Sequence, residues 1–293
     1  MKKLFALLLS CAMLLSFSVT AFAAESTTNN VSEEIMDATL LDRGYPNVIL
    51  EKMSPTAKES LYEKPELVFD GGVITIYDES TGTFIDYDIS ANGYMPMGQI
   101  PTTDLSLTWS ISKNRNNSDE IFVTYSYDWD DLPFFRWQDP IAVSWDDSLF
   151  EMKDDSFYKV DKYDGYYINS SGVPTGKTFT GAIKSEEYGY ASGFAAGVTW
   201  YADLRGYDII YVADALYGHG EFTLEKKTSG TGSSKMYGHY VHPTASASVS
   251  LSVPKFGSFS VSGGSSYDER GNQKTFSYTL FLTVTIENNS KIK

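Results

Sequence analysis

The chain has 293 residues, with 23 Lys plus Arg against 38 Asp plus Glu and a formal net charge of -15. Proteins that grip nucleic acid do so mainly by neutralising phosphates with Lys and Arg, and an acidic chain with no basic run beyond its first three residues is not built for that task. Hydrophobic residues make up 42% and aromatics 15%, which is enough for a core and too much for chain-wide disorder.

Lys2 and Lys3 precede an apolar run from Leu4 to Val19, and Ala21, Phe22 and Ala23 supply the small-x-small pattern that signal peptidase cleaves. Residues 1–23 therefore read as a secretory signal peptide. Two competing readings are an uncleaved anchor, since residues 4–24 are long enough to span a bilayer, and a lipoprotein signal around Cys11. Cleavage after Ala23 removes Cys11, the single cysteine. A mature chain of that kind holds no disulfide, thiol nucleophile or cysteine metal site. The signal resembles those of Gram-positive bacteria, and the expected location is extracellular, without a Leu-Pro-x-Thr-Gly wall anchor.

Residues 24–66 read as a polar leader followed by a short helical cap. Helix formers over residues 33–41 end at Gly44-Tyr45-Pro46, and Ser54 precedes Pro55 as an N-cap precedes a first helical position. From residue 67 the hydrophobic period changes to two. Residues 73–77 and 83–87 flank a Gly-containing loop and predict a hairpin. Further strands are predicted over residues 105–112, 121–129, 141–145, 157–163, 178–184, 194–202 and 208–217. Many short strands without a long helix predict a mainly β protein, an antiparallel β-sandwich-like architecture with a short helical N-terminal region. A Ser/Gly/Pro-rich stretch at 169–176 divides it into an acidic and aromatic β region over 67–168 and a Gly/Ser/Tyr-rich one over 169–293.

The segment 128–164 holds eleven acids and four bases, and Trp-Asp-Asp occurs in it twice. Asp130, Asp131, Asp146 and Asp147 are candidate calcium ligands, because calcium wants six to eight oxygens and is plentiful outside cells. Their spacing matches no EF-hand loop, and Asp-rich turns that bond their own backbone are the competing reading. Calcium is the one cofactor these residues suggest. Trp129, Trp137 and Trp145 are candidate ligand-binding residues, since an aromatic face beside carboxylates suits a sugar ring; core packing competes.

All three histidines fall close together, at His219, His239 and His242, and a Tyr-Gly-His phrase occurs twice. The Ser/Gly loop at 228–234 predicts a hairpin that sets His219 beside His242, making the three histidines candidate ligands for a transition metal. A metal-free His/Tyr cluster is the other reading. Nucleophile motifs are missing: there is no Gly-x-Ser-x-Gly, no His-Glu-x-x-His and no phosphate-binding glycine loop.

Near the C-terminus Ala245, Ala247, Val249, Leu251 and Val253 alternate with serines, as do Phe259 and Val261; Phe276, Tyr278, Leu280, Leu282 and Val284 alternate with Ser and Thr. A turn at Arg270-Gly271-Asn272 predicts that the last two arms pair with their apolar faces aligned. Such strands pack in a soluble sandwich, or they line a pore with hydroxyls toward water. The alternation resembles that in the stems of secreted β-pore-forming toxins, over about 45 residues. The expectation from sequence is a secreted, non-enzymatic β protein that binds a glycan or protein at the cell surface or in the medium. A β-pore-forming or antimicrobial protein, which would engage a membrane, is the alternative, and an extracellular hydrolase comes third.

Overall fold

The computed structural model describes residues 31–78, 83–90, 104–133, 138–185, 189–190, 197–204, 207–208, 211–227, 234–242, 249–263 and 273–280. Three short helices come first: α1 (Glu33–Asp42), α2 (Asn47–Lys52) and α3 (Pro55–Tyr62). Glu33 and Glu34 occupy the first turn of α1, where the helix dipole favours negative charge. The helix ends at Gly44, whose φ of +84° suits a residue without a β-carbon. Ser54 caps α3, accepting from the Ala57 amide, with Pro55 in the first turn. The Arg43 guanidinium closes the other end by donating to the carbonyls of Leu61, Tyr62 and Lys64 at 2.8–3.1 Å. Lys58, almost wholly buried, clasps α3 to α1 through Glu33 at 2.6 Å and Asp37 at 3.1 Å.

The strands are β1 (Leu67–Asp78), β2 (Thr83–Ser90), β3 (Leu105–Asn114), β4 (Glu120–Trp129), β5 (Gln138–Trp145), β6 (Phe150–Met152), β7 (Tyr158–Ile168), β8 (Pro174–Ser185), β9 (Gly189–Tyr190), β10 (Gly197–Asp203), β11 (Tyr207–Asp208), β12 (Tyr211–Lys226), β13 (Ser234–Val241), β14 (Val249–Lys255), β15 (Ser258–Gly263) and β16 (Gln273–Leu280). The chain is thus mainly β, with antiparallel sheets and its described helices near the N-terminus. The first sheet runs β2-β1-β3-β4-β12-β7-β8, with β6 and β11 also paired to β12. The second runs β16-β13-β5-β10-β9, and β14 and β15 pair only with each other.

Alternation along β3 and β4 separates two interiors. Leu105, Leu107, Trp109 and Ile111, with Ile121, Val123, Tyr125, Tyr127 and Trp129, enter a core that also collects Ile141, Val143, Trp145, Val198, Trp200 and Tyr240 from the second sheet. Phe122 instead joins Leu40, Ile49, Leu50 and Leu61 under the helices. The serines and threonines between the core residues, Ser106, Thr108, Ser110, Ser112, Thr124 and Ser126, are buried as well. Helix-side groups bond three of them: Thr108 donates to the Lys52 carbonyl at 2.7 Å, Ser112 meets the Tyr45 hydroxyl at 2.6 Å and Ser126 accepts from the Ser54 amide at 3.4 Å.

The β1–β2 hairpin forms with Asp78 opposite Thr83, as the alternation predicts. Two other predicted pairings do not form. β12 pairs with β4, β7, β6 and β11, whereas β13 pairs with β5 and β16, so the loop at 228–234 joins strands of different sheets and His219 and His242 do not share a hairpin. A Ser/Gly loop permits a reversal but does not choose a partner, and here the inward faces of both strands are claimed by the aromatic core. Likewise β15 pairs with β14 and β16 with β13, in place of a β15–β16 hairpin. Residues 169–172 form the turn between β7 and β8, Gly172 having a φ of +76°. The side chains of Leu251, Phe259, Val261, Phe276, Tyr278 and Leu280, and all of Leu282 and Val284, lie outside the described residues.

Candidate functional site

β12 alternates His219, Glu221 and Thr223 with Gly218, Gly220 and Phe222, and each set faces a different environment. Toward the helices, the His219 Nδ1 lies 2.9 Å from the Thr56 hydroxyl and its Nε2 lies 3.3 Å from Glu221 Oε2, the spacing of an ion pair. Glu221 accepts from the Ser60 hydroxyl and from Lys64 Nζ, the latter at 3.0 Å. Burial pushes the Glu221 carboxyl up, but His219, Lys64 and Ser60 outweigh it and hold it at about 2. Ser54 completes the clip by donating to the Gly218 carbonyl at 3.0 Å. A hydroxyl, an imidazole and a carboxylate in that order are the parts of a nucleophile relay. Here Thr56, His219 and Glu221 are all at most 5% exposed beneath α3, so the arrangement fastens the cap to the sheet and presents no nucleophile to a substrate.

A second buried constellation sits between the sheets. His242 Nδ1 lies 2.9 Å from Asp139 Oδ2, and the Tyr240 hydroxyl donates to the same oxygen. Burial raises the Asp139 carboxyl and the Tyr240 hydroxyl; His242 and Tyr240 draw the carboxyl back down. The His242 ring packs 4.9 Å from Trp129 and 6.5 Å from Tyr77. Close by in the same interior, Asp161 accepts from Tyr127 and Lys159, both at 2.9 Å.

The histidines therefore occupy separate settings: His219 under the cap, His242 against Asp139, and His239 buried on β13, where desolvation lowers its imidazole to about 4. Among the described residues no three His, Cys, Asp or Glu side chains converge as metal ligands do. Asp130 is exposed 3.9 Å from Lys52, and Asp131 is exposed beside it. Asp146 accepts from the amide and hydroxyl of Ser148 at 3.0 and 2.5 Å, an Asp bonding its own turn. Asp147 lies in the same turn, half-buried. Trp129 and Trp145 are 2% and 1% exposed, so neither offers a face to a sugar; Trp137 lies outside the described residues. The duplicated Tyr-Gly-His phrase has a packing explanation, because Gly218 admits the Tyr127 ring and Gly238 lies under Tyr125 and Trp109.

The feature that stands apart from this body is the β14–β15 hairpin. It forms a two-stranded sheet of its own and, in sequence, lies between β13 and β16, which pair with each other. Ser250 and Ser262 meet at 2.7 Å and Ser252 donates to the Ser260 carbonyl at 3.3 Å, a hydroxyl ladder on the outward side. The other side rests on the second sheet, on the face away from the core. Val253 is buried against β10, where a β-carbon on Gly197 would sit 2.9 Å from its Cγ1. At the turn, the Gly257 amide donates to the Ser144 hydroxyl at 3.0 Å and Phe256 meets Tyr237 edge-on at 5.3 Å. The sequence contained the signal for this unit in its Ser alternation and its Pro254–Gly257 break, but not its partner strand. Among known proteins, no family model and no curated protein matches the chain.

Proposed function

We propose that the protein is exported and acts on membranes, its β14–β15 hairpin leaving a sandwich-like body to enter the bilayer as an amphipathic stem. The observation that carries this reading is the nested topology: β13 and β16 are already paired, and a hairpin whose strands pair with neither large sheet lies between them in sequence. The β13–β16 pairing, and the β14–β15 pairing as far as the register shift after Ser252, match residues of equal parity, so over those stretches a straightened β13–β14 and β15–β16 ribbon needs no exchange of faces within either pair. Among its described side chains Val253 is the fully buried one, and a buried Val contributes only about 1.5–3 kcal/mol. Residues 245–253 give nine alternating positions, the length of a tilted membrane strand. Export rests on Lys2, Lys3 and the Ala21-Phe22-Ala23 site.

A second reading is adhesion without insertion, to a glycan or protein. It is favoured by the row of tilted rings Tyr163, Phe179 and Tyr167, spaced 5.9 and 5.5 Å, which ends with Tyr167 and Val173 exposed on the β7–β8 hairpin. The sequence ranks this reading first; the nested hairpin is what supports the membrane reading. Dye release from liposomes decides between them. The membrane reading expects release, its loss when Ser144→Cys and Gly257→Cys are oxidised to a disulfide in a Cys11→Ser chain, and its return on reduction. Intact vesicles under all lipid compositions would overturn it in favour of adhesion.

A further inference from the structure

We propose that Asp139, with Tyr240, latches His242 at the root of the β14–β15 hairpin and so sets when the hairpin leaves the second sheet, an inference that rests on the membrane-acting reading above. His242 directly follows β13, and only residues 243–248 separate it in sequence from β14. It is therefore the last described residue before the hairpin. The fixation is strong: the Asp139 and His242 side chains are both 0% exposed, His242 Nδ1 lies 2.9 Å from Asp139 Oδ2, and Tyr240 donates to the same carboxyl oxygen. Asp139 belongs to β5, held opposite Ala202 of β10, so the latch ties the exit point to the centre of the sheet. At the far end the hairpin has, among the described contacts, one hydrogen bond to Ser144 and the Phe256–Tyr237 ring contact.

Chemistry explains why a polar pair would occupy this position. Two well-packed apolar residues hold a fold as well as a buried polar pair or better, but removing one member of the pair leaves the other buried without its hydrogen-bond partner. A polar root can thus be loosened by changing a single partner. Trp129 and Tyr77, which flank the His242 ring, belong to the first sheet and to the core cluster.

Thiol labelling of the full chain carrying Cys11→Ser tests the latch without any membrane. A cysteine at Val253 reports lifting of the hairpin, and one at Ala213, buried in the first sheet, reports opening of the whole body. Asp139→Asn should raise the Val253→Cys labelling rate by about tenfold or more while leaving Ala213→Cys unchanged, since local opening is governed by the contacts of that segment. Tyr240→Phe, which removes one bond and keeps the ring, should act in the same direction by a smaller factor, and it carries the test if Asp139→Asn fails to fold. Equal acceleration at both reporters, or none at Val253→Cys, would overturn the proposal. Faster labelling at Val253→Cys with sealed vesicles would keep the latch and sink the membrane reading.

Discussion

Gly220 lies directly beneath the indole of Trp200: a β-carbon on residue 220 would sit 2.6 Å from Cε2 and 2.9 Å from Nε1. One strand of the first sheet is thereby thinned to admit a ring carried by the second. Gly220→Ala is expected to cost about 2–3 kcal/mol, the range of overpacking in a tight core. Gly44→Ala meets open space and should cost only about 1 kcal/mol through its positive φ. Urea unfolding of the two variants measures both, and a neutral Gly220→Ala would show that Trp200 moves freely.

The Glu221 carboxyl sits at about 2 in the folded chain against an ordinary 4.5. Between those values the unfolded chain binds the proton first, so this group stabilises the fold fully above the ordinary value and progressively less as the pH falls toward 2. Glu221→Gln should cost about 3 kcal/mol near neutral pH, because it leaves Lys64 without its counter-charge at a buried site. The gap from the parent chain should narrow from pH 5 downward. Denaturation at a series of pH values tests this, and a gap unchanged at pH 3 would contradict it.

Asp128 behaves in the opposite sense. Burial, reinforced by Asp130 and only partly offset by Lys52 and Lys58, raises its carboxyl to about 7. The folded chain now binds the proton more readily, so stability falls as the pH rises from the ordinary value of 3.8 through about 7. Asp128→Asn should therefore stabilise the protein at pH 8 by on the order of 2 kcal/mol and leave it nearly unchanged at pH 4. A stabilisation equal at both pH values would point to packing instead.

Processing of the leader is tested directly by N-terminal sequencing of protein recovered from the medium. The expected first residue is Ala24 or Glu25, set by the Ala21-Phe22-Ala23 site. An intact Met1, or a lipid on Cys11, would end the signal-peptide reading.

Local chemistry made much of this fold legible. Ser54-Pro55 marked the start of α3, and alternation placed β2, β3 and β4 to within a few residues, whereas β1 begins at Leu67, six residues before the stretch 73–77 that alternation picked out. Helix α2 was not legible, because six residues beginning Asn47-Val48-Ile49 are too few to display a helical period. Strand partners were less legible still. Alternation reports which face a residue takes, not which strand lies beside it, and the two misassigned hairpins both joined segments adjacent in sequence but separated by sheet. For the site, three histidines within one short stretch suggested a shared ligand. The better signal was the glycines beside two of them, since Gly218, Gly220 and Gly238 in strands of otherwise bulky residues marked where a ring from elsewhere comes close.

The clip beneath the helices also bears on the order of assembly. Ser54 donates to the carbonyl of Gly218, 164 residues later, and Ser60 to Glu221, 161 residues later. A chain made from its N-terminus onward thus carries α3 for more than half its length before the groups that satisfy it exist. The N-terminal helices are among the first segments to emerge and among the last to be secured. Over that interval their apolar side, including Leu61 and Ala57, has no β12 to close against. The cost falls on folding speed and on solubility in transit, where late contacts between distant segments leave early surfaces uncovered.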